Sequence, residues 1–380
     1  VIAMRGLGIS VSVAALALTG CGGGGGGYSG GGGGGGPVIV TPTPTPVPTP
    51  TPTPTPTPSA TFTAAAAATP TTGATLRLGK CVNMSDQLEA PNEGDWGRGI
   101  QDADITRIKD KGFTAIRLPV RFSAHALANA PYTIDATFMA RVKHVVDLAV
   151  ANNLAVIIDM HHYEELFADP SGHTTRFTEL WRQIGVAFQG QPASVYFELI
   201  NEPHDNFRAS NLLTVQNPAL AAVRASNPTR KVVIDGPDYA SLDSMLTTTY
   251  PSDANVVPTF HYYDPANFGF DTAPWMTPAT RTDFGTAQDV TDLRAVLTKL
   301  TNYMAATGRV PFAGEIGAHE SKPNAARVTY YGMVTSAFAS IGIQGCAWGY
   351  TNTFHLWRDA TGWEPGIADA IVTTTTLPPG

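Results

Sequence analysis

Charge is scarce in this chain, and along most of its first 76 residues there is none. Only 14% of the 380 residues are Asp, Glu, Lys or Arg, and none stands between Arg5 and Arg77. All 31 acidic residues and all but one of the 24 basic residues therefore lie beyond Leu76, in a stretch that is net acidic and has no Lys/Arg run. That balance excludes a nucleic-acid partner held by phosphate neutralisation. No apolar run reaches the roughly 18 residues of a membrane-spanning helix. Cysteine is limited to Cys21, Cys81 and Cys346. There is no Cys-x-x-Cys, no His-Glu-x-x-His, and no His-x-His after the first apolar run, so no metal is expected. Beyond Leu76 no Gly-x-Gly-x-x-Gly, phosphate loop or Gly-x-Ser-x-Gly occurs, which removes nucleotide cofactors and the serine-hydrolase elbow. No cofactor is expected.

The uncharged beginning has its own logic. Arg5 precedes an apolar stretch, Leu7–Leu18, that ends in Leu18-Thr19-Gly20-Cys21. A short positive start, a short apolar core and small residues at a cut site describe an export signal over residues 1–20. The last four residues resemble a bacterial lipobox, which implies cleavage before Cys21, lipidation there, and a place on the cell envelope at the outer membrane or cell surface. Residues 22–36 hold 13 of the 38 glycines and behave as flexible coil. Residues 41–58 are nearly pure Thr-Pro, a polyproline II former reaching about 55 Å at ~3.1 Å per residue. Residues 21–73 are thus expected to be a disordered spacer before a folded domain at 74–380, with ordered structure starting at Leu76.

In that domain, short apolar or β-branched runs recur at 76–83, 113–119, 154–161, 194–201, 231–236, 256–262, 310–315 and 343–349. Near-continuous apolarity suits strands buried on both faces, as in a parallel sheet. Helical patterns lie between them, at 100–111, 135–151, 174–188, 212–225, 242–248, 290–306 and 325–340. The clearest follows Asp135 as N-cap, with Phe138, Val142, Val145 and Ala149 on one face. The alternation and its length predict an α/β fold, a (β/α)8 TIM barrel. A long sixth loop, roughly 264–288, with Phe268, Phe270 and Trp275, is expected beside the cleft.

Chemistry in such a barrel sits where the strands end. These ends carry Asn83, Arg117, His161, Asn201-Glu202, Asp235, His261 with Tyr263, Glu315, and Trp348. Strands four and seven face each other across the mouth, so Glu202 and Glu315 can flank one bond, the arrangement that glycoside cleavage needs. Within strands, Glu198 and Asp159 are expected to make buried hydrogen bonds. His162 is expected to face away from His161, and Glu89 and Trp96 to border the cleft. Cys81 and Cys346 fall on strands one and eight, where two buried thiols are expected over a bridge.

The segments LEAPNEGDWG (88–97), IRLPV (116–120), IDMHHY (158–163), FELINEP (197–203), FHYYDP (260–265), GEIG (314–317) and AWGY (347–350) run in order along the domain. In them the chain resembles glycoside hydrolase family 5. The resemblance implies Glu202 as acid/base and Glu315 as nucleophile of a retaining mechanism, with Arg117, His161, Asn201, His261, Tyr263 and Trp348 binding substrate or holding the two carboxylates. A like-charge push from Glu315 is expected to keep Glu202 protonated. The cellulase branch is the nearer likeness, implying endo-β-1,4-glucanase activity on cellulose-like or mixed-linkage β-glucan by a monomer. An exo-β-1,3-glucanase, xyloglucanase or mannanase, and a non-catalytic glycan binder, are the alternatives.

Overall fold

Eight short strands close on themselves in chain order: β1 Lys80–Asn83, β2 Ala115–Val120, β3 Ala155–Met160, β4 Val195–Glu198, β5 Val232–Asp235, β6 Val256–Tyr262, β7 Phe312–Gly317 and β8 Gly345–Trp348. All neighbouring pairs are parallel, and β8 returns to β1. This computed structural model describes residues 62–270 and 281–374. The export signal, Cys21, both low-complexity tracts and Trp275 lie outside the described residues. Among those described, no helix is long and apolar enough to cross a membrane.

Each expected strand and helix is present, within a few residues. Helix 136–151 begins where the Asp135 carboxylate accepts the Phe138 amide at 2.8 Å, and it buries Phe138, Val142, Val145 and Ala149. Short helices at Glu164–Ala168, Pro237–Ala240 and Ala266–Gly269 were not legible, because one turn carries no periodicity.

Alternation along the strands creates two inner layers. Cys81, Ala115, Ile157, Tyr196, Val233, Val257, Phe312 and Cys346 form an apolar floor. Two positions further on, the same strands carry Asn83, Arg117, Asp159, Glu198, Asp235, Thr259, Gly314 and Trp348. The strand β7 breaks this rhythm. Its pairing shifts register on both sides, between Phe260 and His261 on β6 and between Ala313 and Ile316 on β7 itself, and Glu315 ends opposite His261. Such irregularities re-aim a side chain beside a site.

Two expectations are corrected at the floor. Ordered contacts begin before Leu76: Ala65, Ala68, Thr71 and Ala74 donate backbone hydrogen bonds to Ala339, Gly342, Gly308 and Val256, all on the side where strands begin. Small side chains let this strap lie flat, and backbone bonds leave no apolar pattern to read. Leu76 and Leu78 complete the floor. Second, Cys81 and Cys346 are joined in a disulfide with an S–S distance of 2.01 Å, not left as thiols. The β1–β8 register pairs them directly.

Candidate active site

Arg117 is fully buried and organises the mouth. Its guanidinium takes Glu198 in a fork, Nε to Oε2 at 2.8 Å and Nη2 to Oε1 at 2.7 Å. It also donates to Asn83 Oδ1 at 3.1 Å, Asn201 Oδ1 at 2.7 Å and Glu315 Oε1 at 2.9 Å. Asp159 lies 3.0 Å away. One planar cation thus ties together four strands and the loop after β4. Glu198 and Asp159 make the buried barrel contacts expected of them.

Glu202 lies four residues beyond Glu198, at a left-handed φ of 48°. That conformation costs about 1–3 kcal/mol for a side-chain-bearing residue and persists where neighbours over-determine it. Here the Glu202 amide donates to Asp235 Oδ2 at 3.0 Å, and its carbonyl lies 2.6 Å from His204 Nδ1. Its Oε1 is 2.7 Å from His261 Nδ1. Across the mouth, Glu315 receives Arg117 on Oε1 and the Tyr263 hydroxyl on Oε2 at 2.5 Å. Side-chain oxygens of Glu202 and Glu315 and a nitrogen of His261 all lie within 4.8 Å of one another. The expected carboxylate pair is therefore one site.

Burial, more than a neighbour's charge, sets the Glu202 proton. Loss of water pushes its carboxyl up to about 7, against the pull of Arg117, His204 and His162, with a smaller push from Glu198. This corrects the expectation that Glu315 would be the main cause. Glu315 is itself raised by burial, opposed by His261, Arg117 and the Tyr263 hydroxyl, with Glu202 pushing it upward. Burial also lowers His261 to about 4, so at neutral pH its ring is neutral and acts on Glu202 as a hydrogen-bond partner. Asp159 and Asp235, both buried, are held well above the usual carboxylate range.

The remaining expected residues converge. His161 accepts or donates at Asp159 Oδ2, 2.6 Å from Nδ1, and stacks on Trp348 with centroids 5.4 Å apart and planes 11° apart. His162 does not turn away. Because β3 stops at Met160, alternation no longer applies, and His162 meets His161 edge-on at 4.7 Å and Trp96 at 5.6 Å. Glu89 does not border the cleft with a free carboxylate, since it is buried and accepts the amides of Asp86 and Gln87. In the sixth loop, Phe270 stacks on Tyr263 at 4.6 Å, whereas Phe268 is core. Sequence reasoning missed Asp86, which burial, seconded by the Glu315 charge, raises to about 7. It also missed His204, two residues past Glu202, and Tyr239, which stacks on His204 at 4.5 Å. Adjacency to Glu202 was the available signal for His204. Tyr239 had none.

Among the described residues, two clusters have the spacing of cation ligands: Glu198, Asp235 and His261, and Glu202, His261 and Glu315. The Arg117 guanidinium already supplies positive charge to both Glu198 and Glu315. A dication beside it would face direct repulsion.

The family description for cellulase (glycosyl hydrolase family 5) matches residues 79–353, and the chain belongs to that family. It is 29% identical over 272 residues to Endoglucanase H of Acetivibrio thermocellus, matching 72% of this chain and 29% of that protein. It is 27% identical to Endoglucanase B of Clostridium cellulovorans, over 62% of this chain and 58% of the relative. The chain thus spans well under two thirds of the length of these two curated relatives. Among solved structures, an endoglucanase is 35% identical, with a TM-score of 0.74, 78% of this chain and 97% of that one covered. Thermotoga maritima Cel5A with cellobiose is 29% identical, with a TM-score of 0.75 and the same coverage of each chain.

Proposed function

We propose that the protein is a retaining endo-β-1,4-glucanase acting on cellulose-like or mixed-linkage β-glucan. One observation carries the mechanism: the short gap, within 4.8 Å, between one carboxyl oxygen of Glu202 and one of Glu315. Retaining enzymes hold their carboxyl groups about 5–5.5 Å apart, while inverting ones leave a wider gap for water. Glu202, protonated up to about pH 7, gives its proton to the leaving glycosidic oxygen. Glu315, oriented by Arg117 and Tyr263, attacks the anomeric carbon and forms a glycosyl ester. Water then enters, gives its proton to Glu202 and releases Glu315. Asn201 and His161 fit contacts to sugar hydroxyls, and Trp348 offers an aromatic face to a pyranose.

The endo-glucanase choice draws on the names of the relatives. A solved structure of Thermotoga maritima Cel5A with mannotriose, 29% identical to this chain, favours a second reading, activity on β-1,4-mannan. Reducing-end release on barley glucan, laminarin, xyloglucan and mannan separates these, and activity on mannan alone overturns the first. Proton NMR of fresh cello-oligosaccharide products reads the anomer: retained configuration is expected, and inversion sinks the mechanism. The same proposal makes the protein an exported lipoprotein held through Cys21. Support comes from the lipobox-like tetrapeptide and from a disulfide that belongs in an oxidising compartment. Mass measurement of the native N-terminus tests it, and an unmodified Cys21 overturns it.

A further inference from the structure

The strand β7 carries a glycine on each side of Glu315, and each faces a ring that hydrogen-bonds one of the two carboxylates. Gly314 is the residue passed over where the β6–β7 pairing steps from Phe260–Ala313 to His261–Glu315. A Cβ there would stand 2.9 Å from His261 Nε2 and 2.8 Å from Thr259 Oγ1. A Cβ on Gly317 would stand 2.6 Å from Tyr263 Cε1 and 3.0 Å from Phe354 Cε1. The His261 side chain is only 2% exposed, and its Nε2 has no hydrogen-bond partner. One hydrogen bond, to Glu202, looser contacts to Glu315 at 3.6 Å and Asp235 at 4.0 Å, and the shape of the surrounding wall therefore fix the ring. Tyr263 is likewise walled, by Phe270 at 4.6 Å and Phe354 at 5.8 Å, with Gly317 on a third side. Packed interiors do not absorb an added methyl without displacing something.

We infer that Gly314 and Gly317 are positioning residues: their missing side chains leave the space in which His261 holds Glu202 and Tyr263 holds Glu315. The inference rests on the proposed roles of the two carboxylates. It divides the strand by function. Gly314 acts chiefly on proton donation, through the His261–Glu202 hydrogen bond, with His261 Nδ1 also 3.6 Å from Glu315 Oε2, and Gly317 acts through Tyr263 on nucleophilic attack. A generic packing role would not make that division.

The test is Gly314→Ala and Gly317→Ala in the full chain, assayed on cellotetraose and on nitrophenyl β-cellobioside. General-acid help matters least when the leaving group is already good. In kcat/KM, Gly314→Ala is expected to lose at least roughly 10-fold on cellotetraose, to stay within about 3-fold of the parent on the aryl substrate, and to shift the alkaline limb. Gly317→Ala is expected to lose about equally on both, in kcat more than KM. Equal losses on both substrates for Gly314→Ala, with an unmoved alkaline limb, overturn the inference. Retained aryl activity shows that Gly314→Ala is folded. For Gly317→Ala the control is Tyr263→Ala/Gly317→Ala, expected to be no slower than Tyr263→Ala alone, and an additive loss overturns that half. The 15N NMR signals of the His261 ring in the resting protein separate this inference from the function. If they move in Gly314→Ala although the parent cleaves no β-glucoside, the function fails and the positioning stands. If the parent cleaves and the signals stay, the positioning fails.

Discussion

At the floor of the barrel, Cys81, Ala115, Ile157, Val233 and Val257 fill the space between strands with apolar atoms, and a covalent bond ties β1 to β8. Two residues further along the same strands, Asn83, Arg117, Asp159, Asp235 and Thr259 fill the mouth with polar and charged groups. No change of strand separates the two layers. The floor collects burial that stabilises. The mouth collects one guanidinium, several carboxyls, a left-handed Glu202, and buried atoms without partners at Asp159 Oδ1, Asp235 Oδ1 and His261 Nε2. Burying ionisable groups in this way costs stability unless every partner is satisfied. The comparison teaches that the barrel separates folding from chemistry along each strand, so damage to one layer should leave the other's property intact.

The largest effect falls at the mouth. Glu315→Ala removes the group proposed to form the covalent intermediate, and turnover should fall on the order of 10⁴-fold or more. The floor is untouched, so the thermal midpoint should hold or rise. A variant that loses activity only in step with its unfolding would break the separation. Next is Glu202→Gln. In kcat/KM, which reports the steps up to the glycosyl ester, it should lose about 10²–10⁴-fold on cello-oligosaccharides and far less on nitrophenyl β-cellobioside. Equal losses on both would remove Glu202 from the role of acid.

The two layers were unequally legible in the sequence. All eight strands and the closing order were readable, because strands buried on both faces leave unbroken apolar runs and the helices leave a 3.6-residue period. Glu202, Glu315 and Arg117 were readable from the FELINEP, GEIG and IRLPV segments, although Arg117 and Glu315 lie inside β2 and β7 and Glu202 lies four residues past the end of β4. What was not readable arises where those periods stop. His162 falls past the last residue of β3. The strap through Ala65 and Thr71 is tied down by backbone bonds, which leave no pattern in the sequence. Asp86 acquires its raised proton affinity from burial in the assembled mouth. The disulfide depended on a register that fixes Cys81 opposite Cys346, which spacing along the chain cannot reveal.

A milder probe of the mouth is pH. With Glu202 pushed up to about 7, kcat/KM should fall as pH rises through that value. His261, near 4, stays neutral across this limb and should not contribute to it. The same group sets a stability slope. Between an ordinary glutamate value of about 4.5 and about 7, the folded chain binds a proton at Glu202 that the unfolded chain releases. Its contribution is therefore fully present below the lower value and is lost as pH rises to the upper one. Glu202→Gln should flatten that part of the stability curve, and denaturant titrations at pH 5 and 8 measure it. An unchanged slope would mean that Glu202 ionises as a solvated group.

The smallest expected effect on turnover comes from the floor. Cys81→Ala/Cys346→Ala opens the covalent tie between the first and last strands, which are 265 residues apart in sequence. Constraint of the unfolded chain grows with loop length, and removal of such a bridge typically costs about 2–5 kcal/mol. The unfolding midpoint should fall accordingly. Yet Asn83 and Trp348, two positions beyond the cysteines on the same strands, keep their hydrogen bonds and stacking at the mouth. At a temperature where both proteins are fully folded, initial rates on soluble β-glucan should agree within about twofold, a margin below 1 kcal/mol in the barrier. A large rate loss in a fully folded double variant would show that the floor's closure also sets the geometry of the carboxylate pair, and the two layers would then be one.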